Sequence, residues 1–174
     1  MKEAVQVVIL NKDGEVLAVS RKHDHNDFGL VGGKVDEGET LIEAIIRETK
    51  EETGLTIYKK DLIQIFSMHR DNYMGYTYLI DKYDGEIETD EPHVVKWTTF
   101  DEIIRKTFGK WNKMVAESLE SMGVKFKLHD NNCLLCKNTG IISVIVNEDD
   151  DAFADTRKCN GIKHLDRIKF INKF

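Results

Sequence analysis

The chain lacks any apolar run long enough to span a bilayer, so no membrane partner is expected. Its first residues also lack the charge, apolar stretch and small-residue cleavage site of a secretory leader, and a cytoplasmic location is therefore expected. Positive charge is short: 25 Lys and Arg stand against 31 Asp and Glu, a net charge of −6. That balance disfavours general nucleic-acid binding through the phosphate backbone, and a nucleotide-sized anion would need a metal and a local basic pocket. Cysteine is scarce, with three in all and none before Cys133. An odd count in a reducing compartment argues against disulfides. What the chain does have is 174 residues, 41% of them apolar, enough for one cored domain with an appendage.

Residues 4–10 and 16–20 read as strands joined through Asn11-Lys12-Asp13-Gly14, and the Asp-Gly pair predicts a first hairpin. Arg21 and Lys22 follow directly. His23, Asp24, His25 and Asp27 read as loop, since no metal-site spacing links them. Phe28-Gly29-Leu30-Val31-Gly32-Gly33 brings the chain to a helix, and the paired glycines allow backbone to approach a ligand closely. Beyond the helix, residues 55–58, 62–68 and 73–80 are strand-like. Tyr73, Tyr76 and Tyr78 either line a base pocket or pack across the sheet, with packing expected for at least two. An acidic loop, 84–93, precedes a strand at 93–97; a short helix begins at Phe100, and an amphipathic helix over 111–122 stops at Gly123.

The most informative stretch is 33–55. Thr40 and Glu43 form a capping box, and Gly54 occupies a left-handed stop. At about 100° per residue, Ile42, Ile45, Ile46, Thr49 and Thr53 share one side, with Glu48, Glu51 and Glu52 on an arc beside it. Like charges at i,i+3 and i,i+4 cost roughly 0.2–0.5 kcal/mol per pair, a cost that a bound cation removes. A carboxylate cluster on one rigid edge suits Mg²⁺, which prefers oxygen ligands and also holds substrate phosphates. Arg47 flanks the cluster and can pair with Glu51. Taken alone, these glutamates read first as a solvated acidic helix face.

The full spacing, Gly33, five residues, Glu39, seven residues, then Arg47-Glu48-Thr49-Lys50-Glu51-Glu52-Thr53-Gly54-Leu55, resembles the signature of the Nudix hydrolase family at every charged and glycine position. It departs at Thr49, usually aliphatic, and at Val31, often proline. Over residues 1–125 the resemblance implies an α/β/α sandwich around a mixed β-sheet. The reaction it implies is hydrolysis of a phosphoanhydride in a nucleoside diphosphate linked to another group, with nucleotide as substrate. Its implied metal, Mg²⁺ or Mn²⁺, is held by Glu48, Glu51, Glu52 and the Gly32 carbonyl. A further carboxylate, Glu91 before Glu88, completes the metal site or serves as base, and Glu48 stays open as base. Arg21, Lys34 and Gly33 are the implied substrate contacts, and Glu39 braces the loop. MutT-type hydrolysis of a nucleoside triphosphate to monophosphate and pyrophosphate leads. The alternatives are an ADP-ribose or dinucleotide pyrophosphatase, an RNA 5′-end pyrophosphohydrolase, and a non-catalytic nucleotide sensor, whose usual sign is an eroded motif.

Residues 126–174 change character: all the cysteines lie here, and the charge turns mildly basic. Cys133-x₂-Cys136 and Cys159-x₄-His164 bracket a hairpin-length insert, which suits a Cys₃His structural zinc site in a ribbon-like module; three free thiols and a surface histidine are the other reading. Glu148–Asp151 read as a solvated loop. Arg157, Lys158, Lys163, Arg167 and Lys169 give the tail a route to nucleic acid. Oligomeric state is not written in these residues.

Overall fold

The computed structural model describes residues 2–70, 72–127, 141–148 and 151–158. Two compact units divide the chain, Met1–Lys127 and Leu128–Phe174.

In the first unit, β1 (Lys2–Ile9), β2 (Val16–Arg21) and β3 (Asp24–Lys34) precede α1 (Leu41–Thr53); β4 (Ile63–Arg70), β5 (Tyr73–Ile80), β6 (Val95–Thr98), α2 (Phe100–Ile104) and α3 (Gly109–Ser121) follow. The strands form one sheet in the order β4-β5-β1-β3-β2-β6. It is mixed: β1 runs parallel to β5, and the other neighbours are antiparallel.

Alternation sorts the side chains to two faces. Val5, Val7 and Ile9 of β1, with their partners Tyr76, Tyr78 and Ile80 on β5, turn towards α1 and form a core with Leu17, Val31, Ala44, Ile45, Leu55 and Ile57. On the other face, Gly75 and Thr77 of β5 meet α3. The Trp111 ring lies over Gly75, leaving no room for a Cβ there, and its Nε1–H donates to Thr77 Oγ1 at 3.2 Å. Helices thus cover both faces of a mixed sheet, the α/β/α sandwich implied by the resemblance.

Three predicted elements need correction. Residues 4–10 and 16–20 do not make a hairpin beyond a single bridge, Leu10 with Val16; β3 inserts between the two strands. Its first half pairs with β2 (Leu30 opposite Ala18) and its second with β1 (Val31 opposite Val7). Residues 24–27, read as loop, are the start of β3. Their polar side chains and the three glycines that follow carry little strand propensity, and pairing with β2 in the first half and β1 in the second supplies what propensity lacks. Residues 55–58 contribute one bridge, Thr56 with Asp84, and bury Leu55 and Ile57 from an irregular segment.

In the second unit, β7 (Ile141–Glu148) pairs antiparallel with β8 (Asp151–Lys158), with Glu148 opposite Asp151. The proposed zinc ligands Cys133, Cys136, Cys159 and His164 lie outside the described residues.

Candidate active site

Helix α1 is set by its ends. Glu43 N–H donates to Thr40 Oγ1 at 3.3 Å, and Thr40 N–H returns a bond to Glu43 Oε2 at 2.9 Å. At the far end Gly54, at φ 77°, donates its N–H to the Lys50 carbonyl.

The acidic arc between these ends is organised by one cation. Arg47 Nε and Nη2 hold the two oxygens of Glu39 at 2.9 and 3.0 Å, Nη1 reaches Glu48 at 2.9 Å and Glu51 at 3.1 Å, and Nη2 also donates to the Lys34 carbonyl at 3.1 Å. Glu39 in turn accepts the Asp36 N–H, so it braces the loop as expected. Arg47 holds the Glu39 carboxyl below its ordinary range.

Glu48 and Glu52 project to the glycine pair of β3. A Cβ on Gly33 would fall 2.2 Å from Glu48 Oε1, so this carboxylate occupies the space that a side chain would need. Gly32, at φ 146°, passes so close to β1 that a Cβ would meet the Val5 carbonyl at 2.1 Å, and its N–H donates to Glu52 Oε2 at 2.8 Å. Burial pushes the Glu48 carboxyl up, against the pull of Arg47. Glu52 is pushed up to about 7, first by burial and further by the Glu48 charge, while the Gly32 N–H opposes.

The acidic loop is tied to the open carbonyls of the last turn of α1. Thr89 Oγ1 donates to the Glu51 carbonyl at 2.6 Å, Glu88 N–H to that of Thr53 at 3.0 Å, and His93 Nε2 lies 2.7 Å from that of Glu52. Glu88 is exposed, whereas Glu91 is half-buried and held by Lys22, whose Nζ is 2.5 Å from Oε2. The Lys22 bond lowers the Glu91 carboxyl, and the field of Lys22 also reaches Glu52 and Glu48.

On the other side of Gly32 and Gly33 lies a cavity of about 410 Å³. Arg21, Lys34 and Tyr73 line it, together with Gln6, Phe108, Trp111 and Asn112. Of the three tyrosines, Tyr78 is buried in the α1-side core and Tyr76 packs beside it, bonding Glu3 through its hydroxyl at 3.0 Å. Buried Asn112 donates Nδ2 to the Ile103 carbonyl at 3.1 Å, and among the described residues its Oδ1 has no partner; Gln6 Oε1 is likewise buried and without a partner among them. A more open depression of about 760 Å³, bordered by Lys12, Tyr58, Lys60 and Lys82, contains none of the predicted site residues.

The structure therefore brings together Arg47, Glu48, Glu51, Glu52, Gly32 and Gly33, with Lys34 joined through its carbonyl and Arg21 at the cavity. Lys22, which the resemblance places with Arg21 at a strand end bordering the substrate cleft, pairs instead with Glu91, and Gln6, Phe108, Trp111 and Asn112 were missed. Asn112 carried a signal: it shares a helical face with Val115, Ala116 and Leu119, and a polar residue on an otherwise apolar face invites an explanation.

For a divalent cation, the donor chemistry fits. Two half-buried carboxylates crowd each other, and Glu52 has only an N–H partner among the described residues, so negative charge is concentrated where hard oxygen ligands are available. Arg47 draws Glu51 aside, and among the described residues no three acidic, His or Cys side chains converge on one point. Among the same residues, no helix is long and apolar enough to cross a membrane.

The family model described as NUDIX domain matches residues 1–119. An ADP-ribose pyrophosphatase of Methanocaldococcus jannaschii is 35% identical over 89 residues, 48% of this chain and 53% of that protein. An 8-oxo-dGTP diphosphatase of Buchnera aphidicola is 26% identical over 117 residues, covering 66% of this chain and 90% of that one. A crystal structure of a MutT NUDIX hydrolase from Burkholderia pseudomallei superimposes with TM-score 0.57 at 25% identity, covering 68% of this chain and 97% of that one.

Proposed function

This chain belongs to the NUDIX family, and we propose that it cleaves a nucleoside triphosphate, ribo- or deoxyribo-, to the monophosphate and pyrophosphate. The observation that carries this reading is the position of Gly32 and Gly33, which line the 410 Å³ cavity and also abut Glu48 and Glu52. A nucleotide with its base in the cavity would bring its phosphates past two residues without side chains to reach the carboxylates.

Glu48, Glu52, Glu51 and the Gly32 carbonyl are the residues that would hold Mg²⁺ or Mn²⁺. The bound ion would neutralise bridging phosphates and lower the pKa of an attacking water. The protein's own groups prepare for this. Arg47 fixes the rotamers of Glu48 and Glu51 and ties them to the loop through Glu39. Lys22 keeps Glu91 ionised, and so able to accept a proton from water; Glu48 is the other candidate base. Arg21 and Lys34 offer charge to phosphate oxygens at the cavity edge. Phe108 and Tyr73 offer aromatic surface to a base. The oxygens of Asn112 and Gln6, which have no partner among the described residues, favour a ligand that presents hydrogen-bond donors.

A second reading, ADP-ribose hydrolysis, rests on the M. jannaschii relative, of which the alignment spans 53%. Product analysis with Mg²⁺ tests both, using a panel of (d)NTPs, 8-oxo-dGTP, ADP-ribose, dinucleotides and triphosphorylated RNA. Monophosphate with pyrophosphate from a triphosphate supports the proposal. Activity confined to ADP-ribose, dinucleotides or RNA replaces it with that reading, and nucleotide binding without any turnover makes the chain a sensor.

A further inference from the structure

Asp27 belongs neither to the family motif nor to the cavity lining, yet it joins the pieces that build one cavity wall. Its side chain, 16% exposed, sits near the start of β3. Oδ1 accepts the N–H of Thr107 at 3.0 Å, and Oδ2 lies 3.7 Å from Arg21 Nε. Thr107 immediately precedes Phe108, and the Arg21 guanidinium carbon stands 4.1 Å from the centre of the Phe108 ring. Arg21 and Phe108 both line the cavity. One carboxylate thus fixes the backbone that delivers the ring and the cation that stacks on it.

The arrangement is more specific than a surface ion pair. An exposed arginine with 45% of its side chain in solvent has many rotamers, and stacking alone at such a site holds it weakly. The Thr107 bond adds what stacking cannot: it ties the connection between α2 and α3 to β3. Burial pushes the Asp27 carboxyl up, but the Thr107 hydrogen bonds and the Arg21 and Lys106 charges outweigh it, and the group stays ionised at neutral pH.

We propose that Asp27 is a positioning residue that holds Arg21 over the Phe108 ring, so that the pair forms a fixed wall of the nucleotide cavity. This rests on the assignment of that cavity to the nucleotide, but the stack can be tested without it.

The test compares the wild type with Asp27→Asn, which keeps an acceptor for Thr107 and loses the charge, and with Asp27→Ala, which loses both. The first readout is the Arg21 Nε–H resonance, assigned by its disappearance in Arg21→Lys. In the wild type the Phe108 ring current displaces it upfield; the displacement should be lost in Asp27→Ala and partly retained in Asp27→Asn. The second is steady-state kinetics on the panel substrate that the wild type turns over. KM should rise about tenfold in Asp27→Ala and about threefold in Asp27→Asn, with kcat within about twofold. An unchanged resonance in a folded Asp27→Ala overturns the proposal, as does an unchanged KM or a loss confined to kcat. Absence of turnover by the wild type would count against the proposed reaction and not against the positioning role, which the resonance decides.

Discussion

Arg47 and Glu39, eight residues apart, meet through two parallel hydrogen bonds of 2.9 and 3.0 Å, and this fork joins the middle of α1 to the loop that precedes it. It leaves Nη1 of the same guanidinium for Glu48 and Glu51. The cation that fixes the loop therefore also aims two of the acidic side chains.

Arg47→Lys should for that reason cost more than a conserved charge suggests. An ammonium is a point charge and cannot span a carboxylate while reaching two others and the Lys34 carbonyl. Activity is expected to fall by about tenfold or more, with melting lowered by a few degrees; steady-state kinetics and thermal unfolding measure the two effects. Glu39→Gln should reproduce the loss of stability with a smaller loss of activity.

Glu52→Gln should separate catalysis from stability. An acid raised from 4.5 to about 7 on folding binds more protons in the native state between those values, so metal-free stability falls as pH rises through that interval and stays low above it. Removing the charge removes this loss. In EDTA the variant should melt about 2–8 °C above the wild type at pH 8 and coincide with it near pH 4, while turnover with Mg²⁺ drops by about 100-fold or more. A wild type as stable at pH 8 as at pH 5 without metal would contradict the burial of this charge.

The adjacent glycines of β3, Gly32 and Gly33, should respond differently to a methyl group. In Gly33→Ala the new Cβ meets the end of the Glu48 side chain, which can move aside; folding should survive and activity fall by about tenfold as the carboxylate is displaced. In Gly32→Ala the obstacle is the Val5 carbonyl, and the backbone sits at a φ of 146° that L side chains rarely adopt. A loss of about 1–3 kcal/mol is expected, read from denaturant unfolding.

Glu91→Gln should slow turnover by at least about tenfold, whereas Glu88→Gln should stay within about twofold, because only Glu91 is held by Lys22 beside the site. Thr89→Ala, which frees the loop from the Glu51 carbonyl and the Glu91 N–H, should fall between them and cost about 1 kcal/mol of stability. Equal effects at Glu88 and Glu91 would exclude Glu91 from the chemistry.

Residues whose role is local were legible in the sequence. Thr40, Glu43 and Gly54 act within a few residues of themselves, and the i,i+4 pairing of Arg47 with Glu51 follows from helical spacing. Glu39 and the glutamates of the acidic arc became legible through the spacing of the whole motif. What could not be read depends on partners remote in sequence. Asp24–Asp27 become strand because β2 lies alongside, Lys22 matters because a loop nearly seventy positions later delivers Glu91, and Trp111 reaches the cavity because Gly75 leaves space for its ring. Asn112 lay between these cases, visible as an anomaly on its helix but without a visible reason.

The strand that changes partners between Leu30 and Val31 also constrains how this unit can fold. A chain whose first two strands zipped together at once would close the slot that β3 must occupy, and that early hairpin would have to open again. The Leu10–Val16 bridge permits only the base of such a hairpin. Short sequence separation favours the local β2–β3 pair as the first to form, with β1, which pairs parallel to β5, docking across a longer loop; φ-values at Leu30 and Val7 would test this order. Val5 and Val7 of β1 pack in one core with Ala44 and Ile45, so the helix that bears the acidic cluster gains its full seat on the sheet only when β1 has docked.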